Sequence, residues 1–537
     1  MNRVRALGLN LFVVVCSYAV AGAAGAKTLT VTGLGEPGSI SSANCPSNSC
    51  PTLRDAVNAA VSGDTIAFAS ALNGKSIVLT LSSNDTASGS LEFGASAFFI
   101  TDGLGETVGK VLTIDGSGHG ITIARSGAAT PFRLFDIAPL SSLTLRGLTL
   151  RNGLAQGGNS KGGGGALGAG GAIFNQGSVT IDACTFADNN ALGGSGGVGT
   201  GAANGGGGVG QDATSADGGG PNAGTAGAPP RNGGFGGGGG TTLDTMNFPG
   251  ANGGFGGGGG KGGSGIGGGN GGFGGGGGSD AFVQGSGGFG AGNAGGDFDH
   301  VPNGGGGGGM GGAIFNDAGT MSITNATFHN NGATGGNTTY AGTPVAGGNG
   351  SGLGGAIFNY SGTLNVGFVT LSGNATSTGS GGTGGNADGG AIYSHGDANC
   401  GNNDGNPCAS GDADLVLVNS IAANSQGSAH DIVVDHTVPG VSISSGGGNL
   451  IGTQLAFSGT FISANPKLGA LSPSALAPPT LPIAASSPAY NAASGCTDAK
   501  SQTVAGDERG KSRPQAGLCD IGAYEFDNDY IFADTFQ

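Results

Sequence analysis

The stretch Gly311-Gly312-Ala313-Ile314-Phe315-Asn316 decides the fold, because close copies of it recur at Gly170–Asn175, Gly354–Asn359 and Gly389–Ser394. Each copy precedes a short alternation of apolar and polar residues, as in Val179-Thr180-Ile181. Strands this short form no stable sheet alone, but repeats stacked in register bury one continuous column. The pattern therefore predicts an all-β chain, wound as a single-stranded right-handed parallel β-helix. The alternative, an antiparallel sandwich, needs longer strands joined by polar hairpins at regular spacing.

Asparagine recurs at two fixed places in these repeats. We expect these residues at turns, where Asn tolerates a left-handed backbone, and stacked into hydrogen-bonded ladders. The two sets are Asn175, Asn316 and Asn359, and Asn189, Asn331 and Asn374.

Regions outside the repeats follow the same alternation or close the column. Leu143, Leu145, Leu148 and Leu150 alternate as inward residues of an upstream coil, and Leu53–Ala60 predicts a short cap helix. Open β-columns need capped ends. The resulting division is a signal peptide at 1–26, an N-terminal cap at 27–70, coils at 71–156, a glycine-rich insertion at 157–309, coils at 310–470, a C-terminal cap at 471–526 and a tail at 527–537.

The glycine-rich insertion separates Gly171 from Gly312 by 141 residues, whereas the next two repeat intervals are 43 and 35 residues. Two interpretations stay open. Glycine loses the most entropy on ordering, which favours a disordered loop. Alternatively, Phe235, Phe255, Phe273 and Phe289, spaced by 20, 18 and 16 residues, dock a lobe of extended chains on the column. The stretch Gly275–Phe282 fits a calcium-binding nonapeptide once, without the tandem copies such sites need.

The first residues have the three parts of a secretory signal peptide: Arg3 and Arg5, an apolar stretch from Ala6 to Val20, and small residues ending at Ala26. No later segment is long and apolar enough to predict a membrane span. Cleavage removes two arginines and no acid, so the formal net charge of −15 becomes −17. Nucleic-acid binding depends on clustered Lys and Arg, so this net negative charge argues against a nucleic-acid-binding function.

Cleavage also removes Cys16 and leaves three close pairs: Cys45 with Cys50, Cys400 with Cys408, and Cys496 with Cys519. In an exported chain we expect three local disulfides. Zinc is the rival at Cys45 and Cys50, although no CxxC or His is nearby. We expect Cys184 to be a buried small hydrophobe.

These motifs resemble known families. The Gly-Gly-Ala-Ile-Phe-Asn repeats resemble those of chlamydial polymorphic outer membrane proteins and related bacterial β-helix proteins. The C-terminal region resembles the choice-of-anchor Q domain, which precedes varied surface-anchoring tails. Its motifs are Asn449–Gly452, Asn465–Gly469, Ser487–Asn491, Asp507–Gly510, Arg513–Pro514 and Cys519–Glu525. The resemblance implies that the chain is located on the surface of a Gram-negative bacterium or is secreted from it. Only 18 residues follow Cys519, too few for an autotransporter barrel, so we expect separate export machinery.

No catalytic motif stands out, and we expect no cofactor and no metal. Asp115, Arg133, Asp136, Arg146 and Arg151 form the one acid-base cluster on neighbouring coils. We interpret them as ordinary outward strand and turn residues, and Arg509 and Arg513 with Glu508 or Asp520 as salt bridges of the cap. The chain is therefore expected to be a non-enzymatic, adhesin-like or structural monomer that meets surface glycans or matrix proteins. The runner-up is a carbohydrate-active enzyme of the polysaccharide-lyase type, which would need Asp115, Asp136 and an Arg to converge in one groove.

Overall fold

A computed structural model describes residues 25–82, 94–101, 109–198, 205–243, 248–263, 266–297, 300–338, 346–398, 411–435, 442–474, 476–515 and 517–527. Nearly all of the predicted signal peptide, the predicted Cys400–Cys408 pair and most of the tail lie outside these ranges. Three long all-parallel sheets run side by side through the molecule, so the predicted parallel β-helix is confirmed.

Sheet 1 has ten strands and holds the first apolar alternation of each repeat. In spatial order they are β2 (Ser49–Cys50), β1 (Thr28–Val31), β3 (Thr65–Phe68), β6 (Val111–Asp115), β9 (Ser142–Arg146), β14 (Ser178–Asp182), β21 (Thr320–Thr324), β26 (Thr363–Gly367), β31 (Ala413–Val418) and β34 (Ser442–Ser445).

Sheet 2 has nine strands and follows sheet 1 in each coil. They are β4 (Ser76–Leu79), β7 (Ile121–Arg125), β10 (Leu148–Arg151), β15 (Thr185–Ala187), β22 (Thr327–His329), β27 (Thr370–Ser372), β32 (Ile421–Ala423), β35 (Asn449–Ile451) and β37 (Phe461–Ile462).

Sheet 3 has eight strands and contains the Ala-Ile-Phe-Asn motif. They are β5 (Ser96–Ile100), β8 (Arg133–Ile137), β13 (Ile173–Asn175), β20 (Ile314–Asp317), β25 (Ile357–Tyr360), β30 (Ile392–His395), β33 (Ile432–Asp435) and β36 (Gln454–Leu455).

Shorter elements complete the coils. Two four-stranded sheets lead from sheet 2 towards sheet 3: β11 (Leu154–Gln156), β16 (Asn190–Leu192), β23 (Gly332–Thr334) and β28 (Ala375–Ser377), and β12 (Gly168–Ala169), β19 (Gly309–Met310), β24 (Gly352–Leu353) and β29 (Ala387–Asp388). An antiparallel hairpin joins β17 (Gly295–Asp297) to β18 (His300–Asn303). The α-helix α1 spans Leu53–Ala59, and short 3₁₀ turns span Pro46–Asn48 and Ser70–Leu72.

The repeats stack in exact sequence register despite their unequal spacing. In sheet 3, Ile173 pairs with Ile314, Ile314 with Ile357, and Ile357 with Ile392. These isoleucines belong to the core inside the column. Phe315, the next residue of its motif, belongs instead to a second core on the outside of sheet 3. Side chains alternate across a strand, so each repeat supplies one residue to each core.

The predicted cap helix is present as α1. Thr52 accepts a hydrogen bond from the Asp55 backbone N–H and so caps α1. Leu53 and Val57 are buried against the end of the column. Arg54 is buried as well, and its Nη2 lies 2.7 Å from Oε1 of Glu36.

Both sets of asparagines form buried ladders. Nδ2 of Asn175 lies 2.7 Å from Oδ1 of Asn316, and Nδ2 of Asn316 lies 2.8 Å from Oδ1 of Asn359. In the second ladder, Nδ2 of Asn331 donates both to Asn374 Oδ1 at 2.9 Å and to a main-chain carbonyl at 3.0 Å. Every carboxamide in this ladder is therefore used inside the column.

The expected left-handed backbone does not occur at these six asparagines. In the second ladder it falls on the residue immediately before each one: Asp188 (φ 58°), Asn330 (φ 56°) and Gly373 (φ 74°). The residue with positive φ forms the turn between two strands. The side chain of the ladder asparagine that follows it points into the column. The sequence pattern predicted the ladder and misplaced the turn by one residue.

Two predicted disulfides are present. Cys45 and Cys50 are bonded with a Cα–Cα distance of 4.2 Å, and Cys496 is bonded to Cys519 with a Cα–Cα distance of 5.6 Å. Cys184 is a buried free thiol in the column core, and burial raises its pKa above the ordinary value of a thiol.

Replacing Asn331 with Ala should destabilise the column by about 2–4 kcal/mol, because it leaves buried ladder donors and acceptors without partners. The matched control is Asn386→Ala, at an exposed asparagine of the same coils. It should change the free energy of unfolding by less than about 0.5 kcal/mol. Guanidinium unfolding followed by circular dichroism measures both, and equal midpoints would contradict a structural role for the ladder.

Candidate functional site

Two features break the regularity of the column. One is the glycine-rich lobe, formed by the insertion at 157–309 on the outside of sheet 3. The other is the C-terminal segment, residues 476–527, which lies beside sheet 2. Each creates a cleft. Within the described ranges, no helix is long and apolar enough to cross a membrane.

The glycine-rich insertion is an ordered lobe in its described parts. Consecutive backbone N–H groups donate to different neighbouring segments: Gly258 to the carbonyl of Gly207, Gly259 to that of Gly276, and Gly260 to that of Ala251. Gly257 donates to Gly254, so every third residue returns to the same neighbour. That period is the three residues per turn of an extended polyproline-II-type helix. The lobe is therefore a bundle of such helices, joined by backbone hydrogen bonds.

Close packing of main chains explains why the bundle is made of glycine. A Cβ placed on Gly272 would lie 1.9 Å from the carbonyl oxygen of Gly254, a distance no side chain can occupy. Gly274, which follows Phe273, has a φ of +71°, in the left-handed region that favours glycine. Segments near 336, 350 and 379 also bond into the bundle, so later coils contribute to it as well as the insertion.

The spaced phenylalanines fix the lobe to the column. Their rings stack in order, with centroids 5.2 Å apart for Phe235 and Phe255, 4.9 Å for Phe255 and Phe273, and 5.4 Å for Phe273 and Phe289. A parallel stack runs along the outside of sheet 3, formed by Phe174, Phe315, Phe358 and Tyr393. Tyr360 packs between the stacks, with its ring centroid 4.3 Å from that of Phe273. Of the two interpretations of the insertion, the docked lobe is the one observed.

The stretch that fits a calcium nonapeptide belongs to this bundle. Gly275, Gly276, Gly277 and Gly278 form one of its extended segments. The Asp280 carboxylate accepts the backbone N–H groups of Gly267 at 3.2 Å and Phe282 at 2.8 Å. Among the described residues, no three His, Cys, Asp or Glu side chains cluster as metal ligands would.

Replacing Phe273 with Ala should loosen the lobe on sheet 3, because it removes a ring that stacks on Phe255 and Phe289 and also contacts Phe315 and Phe358. We expect a cost of about 3–5 kcal/mol, the usual range for a buried Phe→Ala change. Hydrogen exchange should become faster in segments 250–260 and 267–278 while sheet 1 stays protected. The control is Phe282→Ala, at a ring that is 53% exposed in the same lobe. Equal protection in both variants would show that the stack does not hold the lobe.

The C-terminal segment lies along the side of the column rather than across its end. Asn419 Nδ2 donates to the Gly495 carbonyl at 2.9 Å, Asn325 Nδ2 to Gly506 at 3.0 Å, and the Ala523 N–H to Thr370 Oγ1 at 2.9 Å. Apolar residues of both parts form a third core. It contains Phe368, Ile421 and Leu450 of the column with Ile483, Val504, Cys519 and Ile521 of the segment.

Ion pairs in this segment have other partners than the sequence suggested. Arg513 is buried with Glu525, at 2.8 Å between nitrogen and oxygen, and lies over the Phe368 ring. Arg509 pairs with Asp507 at 2.6 Å. Asp520 accepts the backbone N–H groups of Asn491 and Phe526 rather than an arginine, and burial raises the pKa of Asp520 to about 6.

Glu508 joins the segment to sheet 2 as a neutral acid. Its oxygens lie 2.8 Å from Thr185 Oγ1 and 2.5 Å from Thr327 Oγ1. Thr185 has one hydroxyl proton, and it donates this to the Pro479 carbonyl, which can only accept, at 2.6 Å. The Glu508–Thr185 contact then needs its proton from Glu508. Burial, with the charge of Asp507, raises the pKa of Glu508 well above its ordinary value.

The segment and sheet 1 enclose a cleft of about 810 Å³. On the column side, Arg146 and Asp182 line the cleft. Asp115 occupies the equivalent position of the strand beside Arg146, so the three residues form a row. Burial raises the pKa of Asp182, and Arg146 partly offsets that shift. Lys500 and Asp507 line the opposite wall. The arrangement is a row of alternating charge facing a mixed polar surface.

The acid-base cluster of the sequence is divided among three sheets. Arg133 and Asp136 lie on sheet 3, buried together at 3.7 Å, and burial lowers the pKa of Arg133 to about 10. Arg151 lies on sheet 2 and pairs with Asp188. Only Asp115 and Arg146 share a face. Asp182 is the member that sequence reasoning missed, and aligning the residues after Ile114, Leu145 and Ile181 would have found it.

No protein-family model, curated protein or solved structure matches the chain. The fold and the two clefts therefore define its class by themselves. It is a parallel β-helix that carries a docked glycine-rich lobe and a C-terminal segment folded back along one side.

The contact between the C-terminal segment and the column should weaken as pH rises. Glu508 and Asp520 both have folded-state pKa values above their unfolded values. Their contribution to stability is therefore complete below the unfolded pKa and is lost as pH rises through the folded pKa. For Asp520 that loss begins near the ordinary pKa of 3.8 and is complete just above the folded pKa of about 6.

Glu508→Gln should remove the Glu508 part of this dependence, because the amide keeps one donor and one acceptor at every pH. Hydrogen exchange of residues 476–527, measured from about pH 5 to 9, reports it. The control is Asp498→Asn, at a half-buried carboxylate of the same segment. Wild type and Glu508→Gln with the same pH slope would contradict a neutral Glu508.

Proposed function

We propose that the mature chain is an exported, non-enzymatic surface module with an adhesive or structural role, released from its signal peptide near Ala26. The leading observation is that Arg133, Asp136 and Arg151 form ion pairs within the fold. Arg133 and Asp136 bury each other, and Arg151 pairs with Asp188. A hydrolase or lyase instead needs catalytic groups converging on substrate in one groove. Repeated polar rows, rather than a convergent acid-base site, are what this molecule offers a partner.

The resemblance to choice-of-anchor Q proteins supports placing the chain at or beyond the surface of a Gram-negative bacterium. The two disulfides are compatible with an oxidising, extracellular setting. The formal net charge of −15, which becomes −17 on cleavage of the signal peptide, makes surface glycans or matrix proteins better partners than nucleic acid. The molecule would act as a monomer, because the column, lobe and C-terminal segment cover one another within one chain.

One observation favours a second candidate, a polysaccharide-active enzyme. The cleft beside sheet 1 is lined by Arg146 and Asp182, with Lys500 and Asp507 opposite. Asp115 extends their row on the next strand, beyond the lining of the cleft. Asp136, which the lyase hypothesis required, is on sheet 3 and buried with Arg133. The row pairs opposite charges from strand to strand, which is also how exposed sheet surfaces are stabilised.

Fractionation of the native cells, combined with glycan and matrix binding by the mature chain, tests the proposal. We expect the chain in the outer-membrane or extracellular fraction, retained by at least one surface ligand and inactive on polyuronate with calcium. A parallel Asp182→Asn variant should bind as wild type does. Depolymerisation of the polyuronate that Asp182→Asn abolishes would replace the adhesive proposal with the enzymatic one.

A further inference from the structure

The lobe repeats a second residue beside its phenylalanines. Three residues before the rings of Phe235, Phe255 and Phe273 stand Asn232, Asn252 and Asn270, and Ser286 precedes Phe289 in the same way. All four polar residues are exposed. The four units stack in the order of their rings, so these side chains form a row along one edge of the lobe, here called the lobe row.

Backbone hydrogen bonds fix the orientation of each carboxamide in the lobe row. Oδ1 of Asn232 accepts the N–H of Asn252 at 3.0 Å, Oδ1 of Asn252 that of Asn270 at 2.8 Å, and Oδ1 of Asn270 that of Ser286 at 2.9 Å. An N–H donor requires oxygen at that position. Each NH₂ group is therefore on the other side of its carboxamide.

The lobe row differs from the buried ladders in what its NH₂ groups do. In the column, Asn331 Nδ2 donates to a main-chain carbonyl and to the next asparagine. In the described part of the lobe, Nδ2 of Asn232, Asn252 and Asn270 has no protein acceptor within hydrogen-bonding distance. The row thus presents aligned, exposed donors whose acceptor oxygens are already used by the fold.

A cleft of about 570 Å³ runs beside the lobe row. The partly buried Phe289 contributes apolar surface to it, Phe273 reaches it only with the edge of a buried ring, and Asp397 adds a carboxylate. Asp397 is held by the hydroxyl of Tyr360 at 3.0 Å. The cleft therefore combines periodic donors, apolar contact surface and one negative charge.

We propose that the lobe row and this cleft bind an extended, uncharged β-linked polysaccharide, one sugar per asparagine step. The rings that accompany the row are 4.9–5.4 Å apart, and extended β-1,4-linked hexose chains advance by about the same distance per sugar. Sugar hydroxyl and ring oxygens would accept from the NH₂ groups, while C–H faces contact the partly exposed Phe289 ring and the glycine backbone that lines the cleft. Asp397 and the net charge of −15 disfavour a polyanionic glycan. This ligand assignment rests on the proposed surface function and narrows it.

The double substitution Asn252→Asp and Asn270→Asp isolates the donors. Aspartate keeps the oxygen that accepts the backbone N–H of the next unit, but replaces each outward NH₂ with an acceptor oxygen. The matched control is Asn337→Asp with Asn386→Asp, which adds the same charge at exposed positions outside the cleft. Asn337 also accepts a backbone N–H, that of Ser380 at 2.8 Å.

Titration calorimetry of the mature chain with cellohexaose, mannohexaose and hexagalacturonate tests the proposal. Wild type and control should bind at least one neutral hexasaccharide and not the polyuronate. The lobe-row variant should lose about tenfold or more in affinity, since it replaces two donors with acceptors. Unchanged hydrogen exchange in residues 250–278 shows that the lobe is intact, and the single Asn252→Asp variant replaces the double one if it is not.

Neutral sugar binding that survives the double substitution overturns the lobe-row assignment, as does preference for hexagalacturonate. Self-association abolished by the same variant, without sugar binding, would identify a second copy of the chain as the partner and also overturn it. If wild type adheres to surface ligands but binds neither neutral sugar, the ligand assignment fails and the adhesive function stands. If wild type adheres to none yet binds a sugar through the row, the assignment stands and the adhesive function fails.

Discussion

In-register hydrogen bonding between successive coils is the constraint on which the rest of this structure depends. Parallel strands bonded in register place equivalent residues about 4.8 Å apart along a line. A residue repeated in sequence therefore becomes a row in space. Isoleucines form the inner core, asparagines the ladders and phenylalanines the outer stack. The lobe follows the same rule with glycine helices in place of strands, because direct main-chain bonding also imposes a fixed spacing.

The role of each row of residues depends on its location in the molecule. The outward phenylalanines of sheet 3 would be an exposed apolar stripe, and the lobe covers them with a parallel stack of its own. The asparagines inside the column satisfy one another and the main chain, so they stabilise the fold. Those along the lobe satisfy the main chain with oxygen alone and present their nitrogens outward. The same residue type is structural in one place and suited to binding in the other.

The C-terminal segment obeys a different logic. It has no repeat, so single contacts hold it: the buried pair of Arg513 and Glu525, the Cys496–Cys519 disulfide and the neutral Glu508. Burying a neutral carboxylic acid that is hydrogen-bonded to two threonines costs less free energy than burying a carboxylate, because no charge has to be removed from water. The segment lies beside the coils, and that position creates a cleft next to sheet 1 which no cap across the end would create.

The sequence by itself determined the parallel β-helix, the cap helix, two of the disulfides and the regular spacing of the phenylalanines, because each is a local or periodic pattern. It also left the lobe undecided between order and disorder. Only the tertiary structure decided that the lobe is folded, since the bonds of its glycines go to segments distant in the chain. The same holds for the row of Asp115, Arg146 and Asp182, for the separation of Asp136 from it, and for the proton of Glu508. Contacts between non-repeating segments are set by three-dimensional packing, which no spacing along the chain records.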